Sequence, residues 1–450
     1  MSTQIRKRGG VDVEKQTTKP SQSSISATSG SPSMSNFLRA AGVIFIVGIV
    51  LFGFNLKNSA KLKYAVVIDA GSTGSRIHAY EFSLNGGEPK LKNELFVQLK
   101  PGLSSFASNP QEGARSLEPL LKQALDKIPS GELANTPIML GATAGLRMLP
   151  GSQAEDLLEH SRNLIRNSYS FKPIADTDVS IMGGDDEGKF AWLAVNMLIG
   201  KLGKSYQETV GVVDLGGGSV QMMRALDPKT VAGAPSGYIL NTKWQEKKYD
   251  LYVNSWPYGL KAGRLATFKK ENSVSACIPD GVSDSFKYKG ETIELSGSSS
   301  ANFDGCHKKV IEAMEVDKPC EADSGCAFAG KWGGLPNGGT EFYLLSYLYE
   351  RVEQAGIGKF EPDEGIGEAT VGELAAAAKK VCSMSLEQLK AATDMHPEDP
   401  TYFCMDLSYI YSLLTSGLGI TNSFKMAKKF EINDVKYEAA WSLGAALEML

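Results

Sequence analysis

The sequence predicts an α/β protein of two lobes, each with a mixed sheet flanked by helices, and with the active site in the cleft between them. Two observations carry that reading. Strand-like and helix-like patterns alternate from Lys61 onward. One pattern also occurs twice: an apolar run ends on an aspartate and hands over to a nearly bare Gly/Ser loop. It appears in YAVVIDAGSTGSRIHAY (64–80) and again in TVGVVDLGGGSVQMM (209–223). A strand–turn–strand plan repeated at that distance implies two related lobes with one such loop each. A chain of 450 residues, 42% hydrophobic and 22% charged, has the mass to bury the cores this requires. Its net charge of −4 offers no basic face for a nucleic acid.

The segments before the lobes read differently. Residues 1–39 hold six Lys/Arg, two Asp/Glu and a Ser/Thr/Pro/Gly-rich middle, which predicts a disordered tail. Residues 40–56, AAGVIFIVGIVLFGFNL, carry no charge and predict one transmembrane anchor, followed by a short stem at 57–63. The basic residues flanking the anchor do not orient it. Cysteine does: Cys277, Cys306, Cys320, Cys326, Cys382 and Cys404 all follow the anchor, are even in number and lack metal-type spacing. Three disulfides in an oxidising lumen would make this a single-pass type II protein with a cytosolic tail. The Golgi is the expected compartment and the cell surface the alternative.

Along the body, YAVVID and RIHAYEF form a hairpin about the first loop. Residues 116–128 have helical spacing, TPIMLGATAGLRML reads as strand, loop and helix start, and AEDLLEHSRNLIRNSY is amphipathic. DDEGKFAWLAVNMLIGKLG opens with acids, as a helix N-terminus favours. Residues 250–340, rich in Gly, Ser and Cys, look irregular and stapled. Helical patterns return at 341–356, 370–381, 386–393 and 405–416, and the chain closes on YEAAWSLGAALEML. Lobe I is assigned to 64–178 plus 433–450, and lobe II to 179–432.

The twin loops have a chemical reason. Close approach to a phosphate chain needs backbone N–H donors unobstructed by side chains, so Gly and Ser dominate. An aspartate beside a phosphate would repel it unless a divalent cation lies between. Asp69 and Asp214 are therefore the expected metal acids, holding Ca2+ or Mg2+, hard cations suited to carboxylates and phosphate oxygens. One such loop alone is often only a tight hairpin; two suggest a clamp. The four histidines (His78, His160, His307, His396) lack metal-like spacing, and only His78 follows a loop closely enough to reach a phosphate.

DAGSTGSR (69–76) resembles the first conserved region of the apyrase, or nucleoside triphosphate diphosphohydrolase, family. GATAGLRML (141–149), GGDDEGKFAW (183–192), VVDLGGGSVQM (212–222) and AAWSLGAALEM (439–449) resemble the next four in order. YFCMDLSYIYSLL (402–414) looks like the plant-type branch. The family shares the actin, hexokinase and heat-shock ATPase superfold, which would account for the paired loops.

The resemblance implies roles by position. Glu187 matches the catalytic base that activates water, and Thr143, Ser219 and Gln221 match residues that place that water. Ser72, Thr73, Gly74, Ser75 and Arg76, with Gly216, Gly217, Gly218 and Ser219, match the phosphate grips. Asp69 and Asp214 match the metal acids, acting through coordinated waters. Tyr349 and Tyr409 resemble the pair that sandwiches the base. Resemblance and closeness in sequence pair Cys277 with Cys306, Cys320 with Cys326 and Cys382 with Cys404. Read without the resemblance, Glu187 is an acid serving a helix dipole, worth about 0.3–1 kcal/mol; Asp185 and Asp186 keep that reading. The paired Gly183-Gly184 before the base departs from the commoner family form and could loosen the helix start.

The expected activity is hydrolysis of nucleoside tri- and diphosphates such as ATP, ADP, GDP and UDP. A lumenal GDPase or UDPase supporting glycosylation is the enzymatic alternative, and a nucleotide-binding receptor without turnover the non-enzymatic one.

Overall fold

A computed structural model describes residues 61–450 other than 72–73, 86–87, 272, 323–324, 335–339, 361–364 and 433–434, with backbone alone at 85 and 144. The expected tail, anchor and first stem residues (57–60) lie outside the described residues, as do Ser72 and Thr73. Among the described residues no helix is long and apolar enough to cross a membrane.

The first sheet comprises β1 (Lys61–Ala70), β2 (Ser75–Asn85), β3 (Glu88–Leu99), β4 (Ile138–Ala142) and β5 (Val179–Ile181), in the order β3-β2-β1-β4-β5. β1 thus begins inside the stretch expected as a stem. β1 and β2 form the expected hairpin, with Asp69 opposite Arg76, and β1 runs parallel to β4. The second sheet is larger. It is built on β6 (Gly211–Leu215), β7 (Val220–Ala225), β8 (Ile239–Trp244) and β9 (Lys247–Trp256). A separate three-stranded sheet follows, made of β10 (Val274–Ser275), β11 (Ser283–Tyr288) and β12 (Glu291–Gly297). β13 (Phe342–Ser346), β14 (Lys359–Phe360), β15 (Ile366–Thr370) and β16 (Ser423–Ala427) then complete the second sheet, and β17 (Lys429–Ile432) pairs with β18 (Val435–Glu438).

The second sheet runs β14-β15-β16-β13-β6-β7-β9-β8. Its middle, β9-β7-β6-β13-β16, repeats the first sheet's order and strand directions: a hairpin, a further antiparallel strand on one side, and two parallel strands on the other. The duplicated sequence pattern is therefore a duplicated topology.

Side-chain alternation sorts the cores into layers. Val66, Ile68 and Ala70 pack outward under the Glu118–Lys127 and Gln153–Ser168 helices. Ala65 and Val67 of the first sheet, and Val212 and Met223 of the second, share one inner core with the Gly184–Leu198 and Trp441–Met449 helices. Val213 and Leu215 face the outer core of the second sheet. The two central helices press close together. A Cβ on Gly444 would lie 2.0 Å from the Phe190 carbonyl; the first of these helices also packs closely on β9, where a Cβ on Gly188 would lie 2.8 Å from Val253 Cγ1. The C-terminal helix also reaches the first sheet, where the Tyr80 hydroxyl meets Ser442 Oγ at 2.8 Å.

Two sequence expectations change. Residues 341–356, expected as a helix, are the buried strand β13 followed by the Tyr347–Gln354 helix. A strand covered on both faces reads as a continuous apolar run, which periodicity does not separate from a buried helix. Residues 250–340, expected as irregular, hold the end of β9, the Leu260–Phe268 and Phe303–Met314 helices and the three-stranded sheet. Cys277–Cys306, Cys320–Cys326 and Cys382–Cys404 are joined as disulfides, the pairing the resemblance implies.

Candidate active site

Period-two alternation places the acids. Asp69 shares a face of β1 with Ala65 and Val67, and Asp214 shares a face of β6 with Val212, so both belong to the inner layer. Glu187 enters the same layer from the first turn of the Gly184–Leu198 helix. That helix starts where Gly183 accepts the Glu187 backbone N–H at 3.0 Å, and Ser255 Oγ lies 2.5 Å from where a Cβ on Gly184 would be. Gly184 thus permits close docking of the helix start against β9.

The three carboxylates interact. Burial, and then the charges of Asp214 and Asp69, push the Glu187 carboxyl up to about 8, against the pull of Arg147. Burial also raises Asp69, which Arg76 opposes. Burial raises Asp214; a Ser346 hydroxyl contact opposes the rise and the Asp69 charge adds to it. Arg76 Nη1 donates to Asp69 Oδ2 at 2.9 Å. Oδ1 of Asp69 and Oδ1 of Asp214 are both buried with no hydrogen-bond partner. Two orphaned carboxylate oxygens in one layer fit a divalent cation, which satisfies them without a protein donor. Among the described residues no trio of His, Cys, Asp or Glu gathers into a protein-only cage. A cation here would take its remaining ligands from water or substrate.

Around this acid cluster stand the polar groups named from the sequence. Thr143 caps the short Ala144–Arg147 helix at the end of β4, and its backbone N–H reaches the Ala70 carbonyl at 3.4 Å. Gln221 Nε2 donates to Ser219 Oγ at 2.9 Å and to Ser255 Oγ at 3.2 Å. Of the first loop, Gly74 and Ser75 are buried and Arg76 half-buried. In the second, Gly216 N–H donates to the Ser219 carbonyl at 3.0 Å, while Gly217 and Gly218 are half-buried. The Leu260–Phe268 helix is clamped onto this loop: Leu260 N–H reaches the Gly216 carbonyl and Lys261 N–H the Gly217 carbonyl. Gly259 allows it, since a Cβ there would lie 2.4 Å from the Ser219 backbone nitrogen.

Three contributors escaped the sequence reading. Arg147 approaches Glu187 at 3.8 Å and donates to the Met182 carbonyl at 2.7 Å. Ser255 supports Gln221 from β9, and Ser346 lies beside Asp214. Arg147 stood inside a quoted motif; Ser255 and Ser346 carried no local signal.

Three other residues named from the sequence are buried in side-chain packing. Tyr349 is 4% exposed, donates to Glu353 and packs edge-on against Phe360. Tyr409 is fully buried, donates to the Tyr258 carbonyl and fills the space beside Gly263. Neither ring offers a free face to a base, because each sits on the core side of its helix. The ring bordering the second loop is Tyr347, half-buried, 4.0 Å from where a Cβ on Gly217 would be. His78 does not reach a phosphate loop: it is buried, with Nδ1 2.6 Å from Glu94 Oε1.

Comparison with known proteins agrees with this geometry. Residues 55–450 match the model of the GDA1/CD39 (nucleoside phosphatase) family. The chain is 39% identical to a probable apyrase 2 of Oryza sativa subsp. japonica, over 86% of this chain and 85% of that protein. It is 34% identical to a human nucleoside diphosphate phosphatase, over 87% and 88% respectively. The structure of a nucleoside triphosphate hydrolase from Neospora caninum shares its fold, with a TM-score of 0.65 at 17% identity, covering 91% of this chain and 96% of that one. The mixed α/β, actin-like body and its paired aspartate loops are thus those of a member of the GDA1/CD39 nucleoside phosphatase family.

Proposed function

We propose that this protein is an apyrase, releasing terminal phosphate from nucleoside tri- and diphosphates by attack of water activated at Glu187. The observation that carries this reading is the meeting of Glu187 with Asp69 and Asp214 beneath two bare loops. The loop amides at Gly216–Ser219, with Gly74, Ser75 and Arg76 opposite, supply donors to phosphate oxygens. Glu187 accepts the water proton; Thr143, Ser219 and Gln221 orient that water, with Ser255 steadying Gln221. Asp69 and Asp214 would hold Ca2+ or Mg2+, which when bound neutralises phosphoryl charge. Positive charge there would also bring the Glu187 carboxyl down from about 8, so that it is ionised and able to act as a base at neutral pH. The base would lie toward Tyr347.

In this reading the cleft lies between a lobe built on the first sheet and one built on the second. The three disulfides support an oxidising compartment, with the body lumenal and residues 40–56 as its anchor.

A second reading, a diphosphatase serving lumenal glycosylation, is favoured by the likeness to the human nucleoside diphosphate phosphatase. Phosphate release from ATP, ADP, GDP and UDP by the full-length protein, with Ca2+, Mg2+ or EDTA, tests both. Release from ATP and ADP that EDTA abolishes supports the apyrase. Release from GDP and UDP alone would select the diphosphatase, and none from any nucleotide would overturn both.

A further inference from the structure

Resting on the reading that the base lies toward Tyr347, we infer that Arg351 is a positioning residue for the nucleoside, locked by Asp406 so that its guanidinium covers one face of the Tyr347 ring. The starting point is a cluster of buried charge that the phosphate chemistry does not use. Arg264, Arg351 and Asp406 are only 5%, 4% and 1% exposed. They come from three different helices: Leu260–Phe268, Tyr347–Gln354 and Phe403–Ser412. Asp406 accepts Arg264 Nε and Nη2 at 2.7 and 2.6 Å, and Arg351 Nε at 2.9 Å. The Nη1 donors find half-buried acceptors: Arg264 donates to Asp399 at 3.1 Å, and Arg351 to Gln354 Oε1 at 2.7 Å.

Two of these helices border the second loop. The first is clamped by its N-terminus to the Gly216 and Gly217 carbonyls. The second begins with Tyr347, whose Cε2 lies 4.0 Å from where a Cβ on Gly217 would be. Arg351 stands four residues further along that helix, the spacing that brings two side chains together. Its Cζ lies over the Tyr347 ring, 5.1 Å from the ring centre. One guanidinium is thus laid on the ring and bound to a buried carboxylate at once. Burying two guanidinium groups around one carboxylate carries a desolvation cost that apolar side chains of similar size would avoid, so the cluster is weak as a device for stability alone. What it supplies is direction. An arginine whose Nε and Nη1 are both held keeps little rotamer freedom, and the ring beneath it loses the positions that the guanidinium fills. Tyr347 is half-buried, so part of the ring stays open to a base. The same carboxylate holds Arg264, and through it the helix clamped on the loop. Base wall and phosphate loop are thereby kept in register.

A double-mutant cycle on nucleotide binding separates this role from plain support of the fold. Calorimetry would measure the binding of α,β-methylene-ADP with Mg2+ to the full-length wild type, Arg351→Met, Tyr347→Leu and the double variant. Methionine fills much of the arginine's volume and leaves Asp406 paired with Arg264. Arg351→Met should raise Kd about three- to thirtyfold, the range for a lost cation–π contact. In the Tyr347→Leu background the same change should raise it by less than about twofold, because the ring to be positioned is gone. A purely structural arginine would cost the same in both backgrounds. Should Arg351→Met fail to fold, Arg351→Lys, which keeps a charge for Asp406 but cannot also cover the ring, reads the same cycle. Equal effects in both backgrounds, or wild-type Kd in the Arg351 variant, would overturn the inference and leave the apyrase reading standing. A wild type that binds no nucleotide would overturn both.

Discussion

The two sheets share one strand plan and one aspartate at the same place in it, yet the two acids are held differently. Asp69 has Arg76 directly opposite, with a 2.9 Å ion pair on Oδ2. The residue opposite Asp214 on the hairpin is Gln221, which is neutral and spends its amide on Ser219 and Ser255. Only a hydroxyl, that of Ser346, opposes the rise of Asp214, whereas a guanidinium opposes that of Asp69. The repeat thus builds a pair in which one acid is largely neutralised by the protein and the other waits for charge from outside. A symmetrical clamp would bind a cation equally from both sides. If the proposed cation binds here, the first sheet would anchor it and the second would depend on it more for charge.

The largest effect expected is at Glu187, which both acids push in the same direction. Glu187→Gln should lower kcat by about 10²- to 10⁴-fold, the range for loss of a general base. The same change should stabilise the protein in EDTA. A carboxyl held at about 8, above its usual 4.5, binds its proton more tightly when folded, so folding stability falls as pH rises from about 4.5 through 8. At pH 8 the glutamine variant should therefore be more stable than the wild type by about 1–3 kcal/mol, read as denaturant midpoints. At pH 4 the difference should vanish.

Next comes the asymmetry itself. Asp214→Asn and Asp69→Asn should each raise the cation concentration for half-maximal activity, by about ten- to a hundredfold. In EDTA they should part. Asp214→Asn removes a buried acid with no basic partner and should raise Tm. Asp69→Asn strips Arg76 of its counter-charge and should leave Tm unchanged or lower it. Equal Tm changes would break the comparison between the two acids.

A pH profile sharpens it further. Activity should fall toward acid as Glu187 is protonated. The midpoint should lie below 8 when cation is saturating and drift upward toward 8 as cation is lowered. A midpoint indifferent to cation concentration would detach Glu187 from the two acids.

The smallest effect on activity concerns the staples. All six cysteines lie between 277 and 404, around the outer core of the second sheet, and none is in the first. Replacing Cys382 and Cys404 by alanine should lower stability by about 2–4 kcal/mol. Cation dependence should be untouched, since neither residue contacts the acid cluster.

Much of this was legible because its signals are local. The hairpins, the paired loops and the acid-led helix of Glu187 each occupy a few consecutive residues. Their roles came from the family resemblance; that Asp69 and Asp214 share one layer came from the structure. What stayed hidden depends on register across sheets. β13 read as part of a helix because both its faces are covered, and that misreading concealed Ser346 at its end. Ser255 matters because β9 pairs with β7 opposite Gln221, which no run of residues announces. Tyr349 and Tyr409 show the opposite case: aromatic residues on amphipathic helices turn inward by default, and their hydroxyls are tied to Glu353 and the Tyr258 carbonyl.

The central claim is that Glu187 is the base served by two cation-holding acids. It is tested most directly by measuring nucleotide binding and phosphate release on the same preparation of full-length Glu187→Gln protein. Mg2+-dependent binding of a non-hydrolysable ADP analogue should match that of the wild type, with turnover of ADP down at least about a hundredfold. Turnover within a few-fold of wild type in a variant that binds normally would contradict it.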